Sequence, residues 1–187
     1  AGLHESTLVM YTSDHGDMLG AHGGMHQKWH NAYEETIHVP FIVSNPLRFP
    51  TAAQTSRLTS HIDLAPTLLS LAGVDAAKAE EQLRASHRVV RPLVGRDLSA
   101  LMQGKAAAAP PPEHEEAVYF MSDDQISDGG SWLEFGALKL PYRPVIQPGY
   151  VETVVARLPA GPTSEIWKYS RYFDGRTGAR NKPADEF

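Results

Sequence analysis

Apolar residues in the front of the chain gather in short blocks separated by glycine and proline. Thr7 to Thr12 reads TLVMYT, a nearly continuous apolar run, the pattern of a strand covered on both faces. His38 to Ser44 (HVPFIVS) is a second such run. Pro40 cannot donate to a ladder and so points to an edge or a strand start. Asn45-Pro46 then breaks the chain. Gly16 to Lys28 is glycine-rich and irregular, with one short helix expected over Asp17 to Ala21. His61 to Ala72 (HIDLAPTLLSLA) predicts a helix. Ser60 or Asp63 can cap it, Pro66 is tolerable only in its first turn, and Gly73 closes it. Leu98 to Met102 predicts another short helix that ends at Gly104. Gly2 reads as a helix C-cap, left-handed as glycine allows.

Beyond Gly104 the pattern changes. Lys105 to Pro112 is KAAAAPPP, followed by the charged EHEE, a connector rather than a core element. Ala117 to Met121, Trp132 to Leu140, Tyr150 to Leu158 and Ile166 to Phe173 are rich in β-branched and aromatic residues and predict strands of a small antiparallel sheet. The tail, Asp174 to Phe187, is polar and predicts no element. The fold class expected is α/β, with a core over residues 1–104, a connector over 105–116 and a small β-rich subdomain over 117–187. No internal repeat is present.

Composition narrows the function classes. The chain has 187 residues, 42% hydrophobic and 21% charged, enough for one sizeable core. The net charge of −5 argues against a nucleic-acid footprint. No apolar run is long enough to span a bilayer. The absence of cysteine removes disulfides, a thiolate nucleophile and zinc–thiolate sites. It leaves cytoplasm and periplasm equally open. The opening Ala1-Gly2-Leu3-His4 carries no signal-peptide pattern and reads as mid-domain sequence, so the expectation is a piece of a longer chain or a processed product.

The chemistry concentrates where the first strand ends, at Ser13-Asp14-His15-Gly16. Five of the nine histidines lie between His15 and His38. In open parallel sheets ligands sit beyond the carboxyl ends of strands. A carboxylate beside an imidazole suits a divalent cation, hard oxygen from one and nitrogen from the other, and Gly16 lets the backbone turn sharply there. The alternative is a capped turn, with Asp14 accepting from nearby N–H groups. His22, His26 and His30 are spaced four apart, but Gly23 and Gly24 argue against a helix that would align them. Asp17 reads as a solvated loop acid, and Glu34 and Glu35 as partners of backbone or basic side chains. His61 and Asp63 suit capping better than ligation. Asp123 and Asp124 suit a loop, and Trp132, Trp167, Tyr169 and Tyr172 suit sheet packing.

Taken in order, SDHGDMLGAHG, HQK, YEE and HVPFIVSNP resemble the sulfatase family of the alkaline-phosphatase-like superfamily. That grouping includes arylsulfatases, choline sulfatases and phosphonate monoester hydrolases. SHIDLAPTLLSLAGV and VGRDLSALMQGK are similar to later segments of the same family, and EIWKYSRYFD more loosely so. The resemblance covers about Leu3 to Gly104. It implies a partial α/β/α sandwich and a metal-dependent hydrolase of sulfuric esters, or of phosphonates or phosphodiesters. Asp14 and His15 match the late pair of metal ligands, and Lys28 matches the lysine that touches the substrate anion. Many sulfatases carry Asp-Asn there and bind calcium. Asp-His is similar to the branch that uses manganese, iron or zinc. His26, two places before that lysine, can line the pocket and protonate a leaving oxygen. The family spacing from His22 to the lysine is one residue shorter.

The nucleophile implied by the resemblance is a formylglycine made from cysteine, or a serine, in a C/S-x-P-x-R pattern. Neither that pattern nor the early Asp-Asp pair occurs here. The expectation is therefore the C-terminal part of a hydrolase, with one divalent metal ion, a small anionic ester as substrate, and little turnover from this chain alone. A homo-oligomer of the full-length enzyme is compatible with this. Two alternatives stand beside it: a non-catalytic remnant that serves as a binding module, and a two-metal phosphodiesterase or phosphomutase.

Overall fold

A computed structural model describes residues 2–28, 30–104, 117–123, 134–135, 140–141, 149–160 and 163–173. The chain is α/β, short helices and small sheets in mixed order. It divides into two compact units, residues 1–10, 43–118 and 157–164 in one, and residues 11–42, 119–156 and 165–187 in the other.

Both predicted N-terminal strands form. β1 spans Val9–Thr12 and β2 spans Phe41–Ser44, paired in a two-stranded sheet. Pro40 immediately precedes β2, at the strand start. The expected burial on both faces is not found: Val9, Tyr11 and Ile42 are 49%, 59% and 58% exposed. An apolar run sets the preference for a strand, but burial depends on what packs against each face.

The first unit is built on helix ends. A 3-10 turn, His61–Asp63, runs directly into α3, Leu64–Leu71, and Gly73 closes it at φ 76°. Asp63 is almost fully buried. Its Oδ2 accepts from the Ser60 N–H at 3.0 Å, a capping contact. Its Oδ1 accepts from the Arg96 N–H at 2.7 Å, and the Arg96 guanidinium donates to Oδ2 at 2.9 Å. Thr67 extends the network, donating to the Asp63 carbonyl at 2.6 Å and accepting from the Leu98 N–H at 2.9 Å. Gly95 is needed here because a Cβ would overlap the Ile62 carbonyl oxygen. Leu71 and Leu98 fill the small core between these segments.

α4, Ala76–Arg84, has no counterpart among the predicted elements. Asp75 caps it by accepting from the Ala77 and Lys78 N–H groups, but none of its residues is buried, and its apolar positions are alanines and the single Leu83. α5, Ser99–Met102, is found as expected, with Gly104 at φ 69° beyond it.

In the second unit, the helix expected over Asp17 to Ala21 is absent. The chain instead turns through Gly20 at φ 88° into α1, a single turn over Ala21–Gly24. His22 and Gly23 are left-handed within it, at φ 51° and 85°. A glycine run lowers the cost of such a turn and removes the basis for a regular helix. α2, Glu34–Ile37, follows.

The C-terminal region is a sheet, as its composition predicts. β3 (Ala117–Asp123), β6 (Tyr150–Ala160) and β7 (Thr163–Phe173) lie in the order β3-β6-β7. β6 and β7 are two residues apart in sequence, which only antiparallel pairing allows. Val151 and Thr153 are fully buried on one face, where Thr153 donates to Ser170 at 3.0 Å. The strand expected over Trp132 to Leu140 contains two short antiparallel pieces, β4 (Glu134–Phe135) and β5 (Leu140–Pro141). The connector 105–116, Asp124, Trp132 and the tail 174–187 lie outside the described residues. Among the described residues, no helix is long and apolar enough to cross a membrane.

Candidate metal centre and anion site

The turn after β1 is held by its own polar groups. Asp14 Oδ1 accepts from the His15 N–H at 3.0 Å. His15 Nδ1 lies 2.7 Å from the Gly16 carbonyl oxygen. A carbonyl only accepts, so Nδ1 carries a proton. His15 Nε2 is 3.4 Å from Asp14 Oδ2, and the Asp14 side chain is 84% exposed. In the neutral ring, Nε2 is then a lone pair facing a carboxylate oxygen. Two lone pairs at that separation repel unless a proton or a cation joins them. A backbone carbonyl that fixes the tautomer while the other nitrogen points at a ligand position is the usual outer-shell arrangement of a metal-binding histidine. The residues therefore fit a divalent cation, and they equally fit an Asp14–imidazolium pair.

The Asp14 carboxyl is held below its ordinary value of 3.8, first by the His15 N–H and further by the His15 and Lys28 charges. Lys28 is thus near enough for its field to reach Asp14, and it is exposed. The loop that carries it is tied at its base by Met18 N–H to the Gln27 carbonyl, 3.0 Å, and Gly20 N–H to the Met25 carbonyl, 2.8 Å. Met18 is buried under this loop, its sulfur 3.2 Å from Thr36 Oγ1, whose hydroxyl donates to Asn31 Oδ1 at 2.6 Å. Gln27, left-handed at φ 62°, turns the chain just before Lys28.

Gly16 is required for a reason other than the sharp turn expected. Its φ is not left-handed. A Cβ there would overlap the Glu35 carbonyl oxygen, and its N–H donates to the Thr36 carbonyl at 2.8 Å. The turn after β1 is pressed against α2.

The other histidines separate. His22 Nε2 lies 3.2 Å from Glu35 Oε2, and its ring stacks on Tyr33 at 4.1 Å. His26 is exposed two places before Lys28, and His30 is half-buried with a left-handed backbone. Among the described residues, no third His, Asp or Glu joins Asp14 and His15 in a group able to hold a metal ion. Asp17 accepts from the Leu19 N–H and is a loop acid.

The pairings that brace this region were not visible in the sequence. Lys168 Nζ of β7 meets Glu34 Oε1 at 2.9 Å, and the Tyr172 hydroxyl accepts from the Ala32 N–H at 3.2 Å. Period-two alternation places 168 and 172 on one face of β7, but no local signal names their partners. Trp167 and Tyr169, on the other face, are 51% and 42% exposed.

Comparison with known proteins bears on the front of the chain. Residues 1–74 match the family model described as Sulfatase. An N-acetylglucosamine-6-O-sulfatase of Bacteroides thetaiotaomicron is 35% identical over 71 residues, 38% of this chain and 12% of that protein. Arylsulfatase K of Bos taurus is 36% identical over 73 residues, 39% of this chain and 13% of that protein. An arylsulfatase of Chlamydomonas reinhardtii is 38% identical over 76 residues, 39% of this chain and 12% of that protein. The match therefore spans 12–13% of the length of these relatives. No solved structure matches the chain.

Proposed function

We propose that this chain, whose residues 1–74 belong to the sulfatase family, is part of a metal-dependent hydrolase of sulfuric esters. In this reading Asp14 and His15 are metal ligands and Lys28 binds the substrate anion. One observation carries it. His15 donates Nδ1–H to the Gly16 carbonyl, which leaves Nε2 and Asp14 Oδ2 facing each other 3.4 Å apart at an open turn.

A bound divalent metal supplies Lewis-acid polarisation of the ester. This chain's residues do the rest of its share. Asp14 contributes a carboxylate already ionised at neutral pH, and the Gly16 carbonyl keeps the His15 ring turned toward the cation. The Lys28 ammonium pairs with the anionic ester oxygens and offsets the charge that builds on them as the bond breaks. His26, exposed beside Lys28, is the proposed donor of a proton to the departing oxygen. The nucleophile, a formylglycine or serine, and the remaining metal ligands come from outside these residues. Two ligands alone bind weakly, so the isolated chain is expected to show little turnover of an aryl sulfate.

A nitrogen donor beside one carboxylate favours manganese, iron or zinc over calcium. That same donor favours the second reading, a phosphonate or phosphodiester as substrate.

The test is a Mn²⁺ titration followed by the loss of the free-ion electron paramagnetic resonance signal, in the wild-type chain and in Asp14→Asn/His15→Gln. Binding that falls at least tenfold in the double variant supports the reading. Equal binding in both chains removes Asp14 and His15 as ligands and ends it.

A further inference from the structure

Glu35 touches both halves of the candidate site. Its backbone carbonyl is the surface against which Gly16 sits, with no room for a side chain between them. The next residue, Thr36, accepts the Gly16 N–H at 2.8 Å. These contacts seat the turn that carries Asp14 and His15. The Glu35 side chain reaches the other way, with Oε2 3.2 Å from His22 Nε2. His22 belongs to the loop that ends in Lys28, and its ring lies stacked on Tyr33 with a 22° interplanar angle.

His22 has the backbone of a left-handed residue, φ 51° and ψ 43°. An L-residue with a bulky ring keeps that conformation only where its surroundings hold it. The Glu35 carboxylate and the Tyr33 ring are what hold it here. The Glu35 carboxyl is itself kept below its ordinary value, first by its own backbone N–H and then by the bond to His22. Lys168 adds a further favourable charge.

We propose that Glu35 and His22 are positioning residues that fix Lys28 relative to the Asp14–His15 turn. They would thereby set where the substrate anion lies with respect to the metal. The inference rests on the roles proposed above for Asp14, His15 and Lys28. It concerns a pair of side chains that take no part in ligation themselves.

The probe is Mn²⁺ added to the ¹⁵N-labelled chain, because its paramagnetic broadening of amide signals falls steeply with distance. In the wild type, Asp14, His15 and Lys28 broaden together. In Glu35→Ala, the broadening at Asp14 and His15 persists, while that at Lys28 falls at least twofold. Glu35→Gln still accepts a hydrogen bond from His22 and restores it. A residue that only stabilised the fold would leave the Lys28-to-Asp14 ratio unchanged, and an unchanged ratio in a well-dispersed Glu35→Ala spectrum overturns the proposal.

If Mn²⁺ broadens neither Asp14 nor His15, the metal reading fails, and the metal-free spectra decide the positioning. His22→Ala must then shift the amide signals of both Gly16 and Lys28. Shifts confined to Tyr33 and Glu35 overturn the proposal independently of any metal.

Discussion

Two aspartates, Asp63 and Asp14, stand at element boundaries in similar-looking sequence, HIDL and SDHG. Their surroundings are opposite. Asp63 is 1% exposed and accepts from two backbone N–H groups and a guanidinium. Asp14 is 84% exposed along its side chain, and among the described residues its hydrogen bonds lie within its own turn, with Lys28 adding its field. The first carboxylate has spent its hydrogen-bonding capacity on the fold. The second keeps an exposed oxygen beside a fixed imidazole. A buried acid with every lone pair engaged has nothing left to bind with. An open acid with a converging nitrogen does.

The largest effect that can break this comparison is loss of Asp63. Asp63→Ala takes the carboxylate from two part-buried N–H groups and from the Arg96 guanidinium, which is 39% exposed and keeps the Leu58 carbonyl, and should cost about 3 kcal/mol. Urea unfolding followed by circular dichroism measures it. A loss below about 1 kcal/mol would mean that Asp63 is not the structural member of the two. Replacing both partners, Asp63→Asn with Arg96→Met, sharpens the point. It should recover part of the loss, since the unpaired charge has gone with it.

Next in size are the two glycines that abut carbonyl oxygens. Gly95→Ala drives a methyl into Ile62 and Gly16→Ala drives one into Glu35. Each should cost about 1–3 kcal/mol through forced backbone movement. Their consequences differ. Gly16→Ala should also abolish Mn²⁺ binding at Asp14 and His15, whereas Gly95→Ala should leave it within twofold of wild type. Equal damage to binding from both would erase the distinction between the two regions.

A smaller effect is expected from the β7 brace. Tyr172→Phe removes the acceptor for the Ala32 N–H at 3.2 Å, a bond worth about 1 kcal/mol. Amide hydrogen exchange at Ala32 should quicken by about tenfold or less. Unchanged exchange would show that the hydroxyl does not restrain the segment leading into α2.

What the sequence disclosed follows from the range of each interaction. TLVMYT and HVPFIVS carry enough β-forming side chains to declare strands, but the burial of Val9 and Ile42 depends on neighbours that a local pattern does not encode. Capping by Ser60 and Asp63 is legible because it acts over three residues. The Arg96 partner, 33 positions away, is not. The apolar side of α4 carries only alanines and Leu83, too weak a signal to mark a helix even though Asp75 marks its start. Asp14, His15 and Lys28 stand out as candidate chemistry because they fall in a short motif. Lys168 and Tyr172 meet their partners across 134 and 140 positions and left no trace there. Gly16 was found for the wrong reason, because a close approach of backbones looks in sequence like any turn glycine.

The smallest predicted effect is on Asp14 itself, and it has a definite sign. Its carboxyl lies below the ordinary 3.8 in the folded chain. A depressed folded value stabilises the native state above the unfolded value, and that contribution disappears as pH falls through the folded one. The difference in unfolding midpoint between wild type and Asp14→Asn should therefore be present at pH 7 and fade below about pH 4. Because the group is exposed, the difference should be slight and should shrink further in added salt. Mn²⁺ binding should nevertheless drop at least tenfold in the same variant, because an amide supplies no negative charge to the cation. A large, salt-insensitive loss of stability at pH 7 would put Asp14 in the same class as Asp63, as a carboxylate that serves the fold.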